Sequence, residues 1–420
     1  MEMNPSKMII IFLTCIMLTL GNSKYLIDIG LNSYIELFSY LLLAIEVWYF
    51  TIKTSSKKIL AKSIIIFSMV LILFSIGILV QPMQFLIKAR LLFSMFVIAT
   101  ITVPAKSYMN SFGCIRFASY GIFVGVIIAT LLSLFGNIKL IDVSYEGFLN
   151  FGFTGGMQYK NYFAATMLAS FTGIYIYNKY EKKSKIDLLL MIFQVILIFI
   201  SSSRGGYLLF IIFLIFINLD CFYRLCKRNV KKKYIIRYKN YIVCVALILF
   251  LICCFTCGKM VSSSSTYMYR VRGVINYLTY CRNDWFHLFF GNATMAFGNP
   301  NIPYVTAIKI AVGSFNGTYE MGFINVLIKN GIIGLIGYIF IYMIIIKYII
   351  KSKENKLKLT STTMLIVLLV SSFVETYVCN IHTIFGVYCY MLIFGICGMV
   401  DINERTNICT SSLNDENEDG

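Results

Sequence analysis

Charge is scarce in this sequence, and its scarcity excludes an ordinary soluble domain. Only 13% of the 420 residues are Asp, Glu, Lys or Arg, whereas 59% are hydrophobic. A soluble domain has about 25% charged and about 45–50% apolar residues. The mean hydropathy is +0.78, and many windows exceed about 18 apolar residues with few charges, which is typical of membrane-spanning helices. The composition therefore predicts a polytopic membrane protein.

Histidine is also scarce, and cysteine lacks regular spacing. Neither of the two histidines, His287 and His382, has a second His, Cys or carboxylate at metal-ligand spacing. The thirteen cysteines are an odd number without framework spacing, which argues against a disulfide scaffold. The pair Cys254 and Cys257 ends an apolar run and is interpreted as small apolar helix residues. No Gly-rich phosphate loop or nucleotide motif is present, so we expect no metal and no cofactor.

Twelve apolar runs are candidate transmembrane helices. We predict an all-α, polytopic integral membrane protein with about twelve transmembrane helices and one large extracytoplasmic loop. Residues 1–257 hold helices one to nine, 258–322 form the loop, 323–400 hold helices ten to twelve, and 401–420 form a polar cytoplasmic tail that we expect to be disordered. The runs are 8–21, 31–52, 63–80, 86–104, 117–135, 159–178, 186–201, 205–220, 241–257, 323–346, 360–378 and 381–400.

The net charge of +18 could indicate nucleic-acid binding, but the positions of the basic residues argue against that function. With a cytoplasmic N-terminus, the cytoplasmic connectors hold 23 Lys and Arg residues and the outer connectors hold 8. Basic residues concentrate on the cytoplasmic side of membrane proteins. We therefore predict that both termini are cytoplasmic and that the basic residues set the topology.

One charge, Arg204, stands alone in the run 188–219, inside the stretch "ISSSRGGY". Both flanks of the run are strongly basic, so an even number of crossings must separate them. Serines and a Gly-Gly pair favour a tight break between helices. We therefore predict a helical hairpin with its break at 201–206 and Arg204 near the outer face. The alternative is an interfacial arginine that only extends its head group to water.

Further polar residues lie on the predicted outer side. Arg270 and Arg272, in "YRVRG", are two residues apart and can reach one polyanion if that stretch is extended, whereas ordinary exposed arginines are the alternative. Guanidinium binds phosphate in a bidentate way and keeps its proton. Glu320 precedes the tenth run, either as a general base or as a carboxylate that favours the helix dipole. Candidate sugar contacts are Tyr269, Trp285, His287 and Asn316, and His287 is also a weaker candidate base.

Four elements in a fixed order resemble the bacterial O-antigen polymerase and ligase superfamily, which includes Wzy-type capsule and exopolysaccharide polymerases. They are "GFTGGMQYKNYFA", "SSSRGG", "YRVRG…WFHLFFGNATMAFG" and "YEMGFINVLIKNGIIGL". The resemblance covers about residues 150–340. The ligases carry a histidine eleven residues before the Gly that stands here as Gly331, but this chain has Glu320 there. That departure favours a polymerase over a ligase.

The resemblance implies a metal-independent glycosyltransferase in the bacterial cytoplasmic membrane. It would polymerise undecaprenyl-diphosphate-linked repeat units into O-antigen, capsule or exopolysaccharide at the outer face. Arg204 with Arg270 or Arg272 would bind the diphosphate, and Glu320 would take the place of the ligase histidine. The expected partners are lipid-linked donor and acceptor glycans, the bilayer and a chain-length regulator protein, but no nucleic acid. The alternatives are a ligase of the same superfamily and a lipid-linked oligosaccharide flippase.

Overall fold

The protein is built mostly from helices. The structure, a computed structural model, describes residues 5–143, 151–220, 322–375 and 383–418, with Tyr377, Ile381 and most of 275–293. In this part of the chain the helices are α1 (Pro5–Leu20), α2 (Lys24–Asp28), α3 (Asn32–Thr54), α4 (Lys57–Val80), α5 (Phe85–Thr100), α6 (Phe112–Phe135), α7 (Lys160–Tyr180), α8 (Lys185–Ile200), α9 (Arg204–Ile217), α10 (Trp285–Phe290), α11 (Gly322–Lys351), α12 (Asn355–Val374) and α13 (Ile384–Glu418). A short 3₁₀ helix covers Pro104–Ser107, and strands β1 (Ile141–Val143) and β2 (Phe151–Phe153) pair antiparallel.

The helices follow the apolar runs closely. Every predicted run except 241–257, which lies outside the described residues, coincides with a helix. One expectation was wrong: α13 continues to Glu418, so the polar tail expected to be disordered is helical. The connector 136–158, which the topology assigns to the outer side, contains the β1–β2 pair. Six helices in the described ranges are long and apolar enough to cross a membrane; twelve crossings stay a prediction.

On α8, side-chain exposure is inverted relative to that of a helix on the surface of a soluble protein. On α8, Leu189, Ile192 and Phe199 are about half exposed or more, whereas Asp187 and Gln194 are fully buried. Large exposed apolar surfaces would drive aggregation in water, but they match the hydrocarbon core of a bilayer. Together with the six long helices, this pattern supports a multi-pass membrane protein.

The segments that connect the helices contact one another at two opposite ends of the helix bundle. At one end, here called the Arg204 end, Ser23 pairs with Met157 in an isolated β-bridge. At the opposite end, the Lys106 end, the ammonium group of Lys106 lies 3.3 Å from the carboxylate of Asp401. These contacts agree with the predicted sidedness of the connectors, because each joins segments assigned to the same side. Which face of a membrane each end occupies stays a prediction.

The Lys106 end also holds a buried ion pair. Arg116, at the start of α6, lies 2.9 Å from the carboxylate of Asp187 on α8. Asn178 donates a second hydrogen bond to that carboxylate at 2.9 Å, and the guanidinium lies 4.5 Å from the ring centre of Tyr177. Because Asp187 is fully buried, these partners replace the water that its charge has lost.

Helix α13 occupies the centre of the bundle. Its apolar part, Ile384–Ile402, is 94% buried and packs on α7, α11, α12 and the 3₁₀ helix. Small residues permit the closest approaches: a side chain at Gly395 would meet the carbonyl oxygen of Met109 at 2.3 Å. The buried Tyr388 hydroxyl is 2.8 Å from that of Ser119 on α6. This central helix therefore has almost no surface for lipid.

Helix α11 is kinked at Gly331, where φ is 68° and ψ is −168°. The C-terminal end of α10 packs directly against the kink, so a side chain at Gly331 would lie 2.1 Å from the carbonyl oxygen of Phe289. No feature of the sequence pattern predicted this kink.

A glutamine joins the end of α10 to the kinked part of α11. Gln81, which follows α4, donates to the carbonyl oxygens of Phe290 at 2.6 Å and Lys329 at 3.0 Å. Its own amide oxygen accepts from the backbone N–H of Ala293 at 2.6 Å. A broken helix at membrane depth is tolerated when neighbouring groups satisfy the freed backbone in this way. Residues 285–293 are thereby held on α4 and α11.

Candidate functional site

The predicted break in the run 188–219 is confirmed, with one correction. Helix α8 ends at Ile200 and α9 begins at Arg204, so the break is Ser201–Ser203. Ser202 takes a positive φ of 54°, which lets the chain turn sharply, and the Ser203 hydroxyl caps α9 by accepting from the N–H of Gly206. The Gly-Gly pair is not the break but the first turn of α9.

The two glycines instead allow other helices to approach α9. A side chain at Gly206 would meet the Cβ atom of Ala164 on α7 at 2.7 Å. One at Gly205 would meet the carboxylate oxygen Oε1 of Glu375 at 3.4 Å. The glycines therefore bring α7 and the residue that follows α12 against the start of α9.

A polar cluster joins these three elements at the Arg204 end. The Ser203 hydroxyl donates to Oδ1 of Asn161 at 2.9 Å, and Nδ2 of Asn161 donates to Oε1 of Glu375 at 3.0 Å. The Tyr377 hydroxyl donates to the backbone oxygen of Asn161 at 3.0 Å. We name Asn161, Ser203, Glu375 and Tyr377 the Asn161 cluster. It brings together two of the sequence elements quoted above, "GFTGGMQYKNYFA" and "SSSRGG".

Positive charge surrounds the Asn161 cluster. Arg204 is exposed, and within the described part of the chain no carboxylate neutralises it. The side chain of Lys160 lies over Gly152 of β2, whose missing side chain would meet Lys160 Cδ at 2.6 Å and the carbonyl oxygen of Ser201 at 2.8 Å. Helices α7 and α9 both begin here, and the positive ends of their dipoles favour anions. The surroundings of the cluster, at the starts of α7 and α9, therefore have the electrostatic character of an anion site.

The structure gives only a partial account of the predicted loop residues. Glu320, Arg270, Arg272, Tyr269 and Asn316 lie outside the described residues, so their placement stays a prediction. Trp285 and His287 belong to α10, where Trp285 is 65% exposed and His287 is half-buried.

His287 is paired within its own helix. Its ring nitrogen Nδ1 contacts the carboxylate of Asp284, which also accepts from the backbone N–H of His287 as the helix cap. No described contact joins this pair to the Asn161 cluster. In the described residues, no three His, Cys, Asp or Glu side chains stand together as a metal-binding group.

Sequence analysis missed Glu375. The residue falls inside the predicted apolar run 360–378 and was counted as part of a transmembrane helix. The signal was present, because a carboxylate near the end of an otherwise apolar run is costly in a bilayer and is a functional candidate by default. Asn161 lay within a quoted element, but its role was not assigned.

Comparison with known proteins adds no assignment: no family model matches the chain, and no curated protein matches it.

Proposed function

We propose that the protein is a membrane glycosyltransferase that polymerises polyprenyl-diphosphate-linked oligosaccharide units at the outer face of the bacterial cytoplasmic membrane. The observation that carries the proposal is the position of Arg204. Its exposed guanidinium stands at the start of α9, beside a polar cluster and at one end of an apolar bundle. A diphosphate attached to a lipid tail needs a cationic site at this boundary between water and bilayer.

The surroundings of Arg204 suit such a lipid. Ile200, Leu208 and Ile211 are apolar and substantially exposed on α8 and α9, so a polyprenyl tail can lie along these helices. The diphosphate would then meet Arg204 at the break between them. A guanidinium holds phosphate oxygens with two parallel hydrogen bonds and remains charged at any physiological pH.

Arg204 stabilises the charge that develops on the leaving diphosphate in the transition state. The donor is the growing glycan on its lipid diphosphate, and the acceptor is a sugar hydroxyl of the incoming lipid-linked unit. Cleavage of the donor linkage drives the reaction, so it needs neither a nucleotide nor a metal. The proposal includes a second phosphate-binding pair, Arg270 and Arg272, and a carboxylate near the acceptor, Glu320. A chain-length regulator is the proposed protein partner.

A test compares arginine variants in the native host. Arg204→Ala and Arg204→Lys should each strongly shorten or abolish polymer on gels of the extracted glycan, because lysine keeps the charge but loses the planar fork. The matched control is Arg90→Lys, since Arg90 is an exposed arginine of α5 outside the Asn161 cluster. Normal polymer from Arg204→Lys at normal protein level would show that Arg204 does not bind diphosphate through its fork.

Deletion of the gene separates the rival functions. A polymerase deletion leaves a single repeat unit on the final carrier. A ligase deletion leaves full-length chains on the lipid, and a flippase deletion leaves units facing the cytoplasm. Either of the last two results would reject the polymerase proposal in favour of that alternative.

A further inference from the structure

The position of Glu375 is not explained by the helix that carries it. Glu375 is the C-cap residue of α12, and its backbone N–H donates to the carbonyl oxygen of Ser371 at 2.8 Å. A negative charge at a helix C-terminus opposes the helix dipole, and Glu375 is only 9% exposed, so it has also lost most of its water. Violations of local stability rules such as this one concentrate at functional sites.

Asn161 orients the carboxylate of Glu375. The amide has two fixed partners, because Oδ1 accepts from Ser203 at 2.9 Å and Nδ2 donates to Glu375 Oε1 at 3.0 Å. The Tyr377 hydroxyl fixes the backbone of Asn161 as well. A reactive group oriented by a second residue, which is oriented by a third, is the arrangement expected of an activated acid or base.

Glu375 lies against the start of α9, of which Arg204 is the first residue. The carboxylate faces Gly205, and successive residues of an α-helix point about 100° apart. A direct displacement at an anomeric carbon needs two separate protein groups, because the leaving diphosphate and the attacking hydroxyl lie on opposite faces of the sugar. The cluster therefore offers a cationic side for the leaving group and a carboxylate side for the nucleophile.

We infer that Glu375, oriented by Asn161, accepts the proton of the attacking sugar hydroxyl, which is the role that the sequence had suggested for Glu320. This inference rests on the proposed function. The bond between the anomeric carbon and the diphosphate oxygen breaks, and its electron pair leaves with the diphosphate. The acceptor oxygen forms the new glycosidic bond, and its proton passes to Glu375 and then to water.

The experiment uses the purified full-length protein in detergent and lipid-linked repeat units extracted from the deletion strain. The variants are Glu375→Gln, which keeps the shape of the side chain, and Glu375→Asp, which keeps a shortened carboxylate. Glu36→Gln is the matched control, a glutamate of α3 outside the Asn161 cluster. Transfer rate, its pH profile and binding of undecaprenyl diphosphate are measured for each protein.

We expect Glu375→Gln to lower the transfer rate by about 100-fold or more, the usual contribution of a positioned base, while undecaprenyl diphosphate binding stays within about twofold. The wild-type rate should fall at acidic pH as the carboxylate takes a proton, and the amide variant should lose that dependence. The other titratable groups at the cluster are Lys160, Tyr162, Arg204 and Tyr377, and the comparison of wild type with Glu375→Gln isolates the contribution of the carboxylate. Glu375→Asp should retain part of the rate and the acidic limb.

Four outcomes are decisive. An unchanged rate in Glu375→Gln overturns the inference, and so does an equal loss of rate and undecaprenyl diphosphate binding, which would make Glu375 a binding residue. If the amide variant does not fold, Glu375→Asp decides, because a rate loss without an acidic limb is inconsistent with a base. If the wild-type protein transfers no glycan, whether or not it binds undecaprenyl diphosphate, the proposed function itself is rejected.

Discussion

Substitution of Gly331 by alanine should undock residues 285–293 from the bundle. The new Cβ atom would lie 2.1 Å from the carbonyl oxygen of Phe289 and 2.6 Å from the backbone nitrogen of Gly291. Both neighbours are backbone atoms, which cannot rotate away as a side chain can. In addition, φ of Gly331 is 68° and its ψ is −168°, a combination that is essentially restricted to glycine.

The variant Gly30→Ala separates the conformational cost of adding a Cβ atom at positive φ from the steric cost of the contact with Phe289. Its φ is +75°, but nothing lies within 4 Å of the added Cβ atom. Gly30→Ala therefore carries only the conformational penalty, about 1–3 kcal/mol for an unfavourable backbone. Gly331→Ala carries a similar penalty plus an overpacking cost of about 1–3 kcal/mol. At about 2 °C per kcal/mol, the thermal midpoint of Gly331→Ala should lie about 2–6 °C below that of Gly30→Ala.

Two assays check this prediction. Thermal unfolding in detergent gives the midpoints, and limited trypsin digestion reports on docking through cleavage after Arg282, which is exposed and lies just before α10. Cleavage there should accelerate in Gly331→Ala and stay unchanged in Gly30→Ala. Equal midpoints and equal cleavage rates in the two variants would refute the close approach of the Phe289–Gly291 backbone to the kink.

Two further predictions concern groups distant from the Asn161 cluster. Arg116→Met should destabilise the protein by about 3–5 kcal/mol, because it leaves the buried Asp187 carboxylate without its cationic partner. The double variant Arg116→Met with Asp187→Asn should recover part of that loss, and purely additive changes in the unfolding midpoint would argue against a coupled pair. Burial raises the pKa of the Cys281 thiol, so less of the thiolate is present at pH 8, and the side chain is fully buried. Iodoacetamide should therefore modify Cys281 at least about tenfold more slowly than a cysteine placed at the exposed Leu278, as followed by peptide mass spectrometry; equal rates would contradict this.

The helices were predictable because each apolar run is long and bounded by polar connectors. The run 31–52, for example, coincides with α3 at Asn32–Thr54. Long periodic or uniformly apolar segments are the most reliable signal in a sequence, and their boundaries are the least reliable. The kink at Gly331 was not predictable, because it depends on a backbone contact with Phe289, more than forty residues earlier. A glycine in an apolar run gives no information about such a partner.

The candidate site was predictable only in part. The charge balance of the flanks placed Arg204 at a break between two helices, and the structure has that break. Its partners come from distant parts of the chain, since Asn161 precedes it by 43 residues and Glu375 follows it by 171. No local pattern records such contacts. The Gly-Gly pair was interpreted as the break for the same reason. The two positions need glycine because Ala164 and Glu375 approach them closely.

The central position of α13 has a consequence for the order of assembly. Ribosomal synthesis proceeds from the N-terminus at about 5–20 residues per second, so Ile384–Ile402 emerges after the other described helices that surround it. Until then, groups such as the Ser119 hydroxyl of α6 lack the buried partner that Tyr388 later provides. The earlier helices must therefore enter the bilayer without their final core, and the last helix to be made must insert between them. Substitutions in α13 should accordingly affect protein yield more than those in the lipid-facing α8.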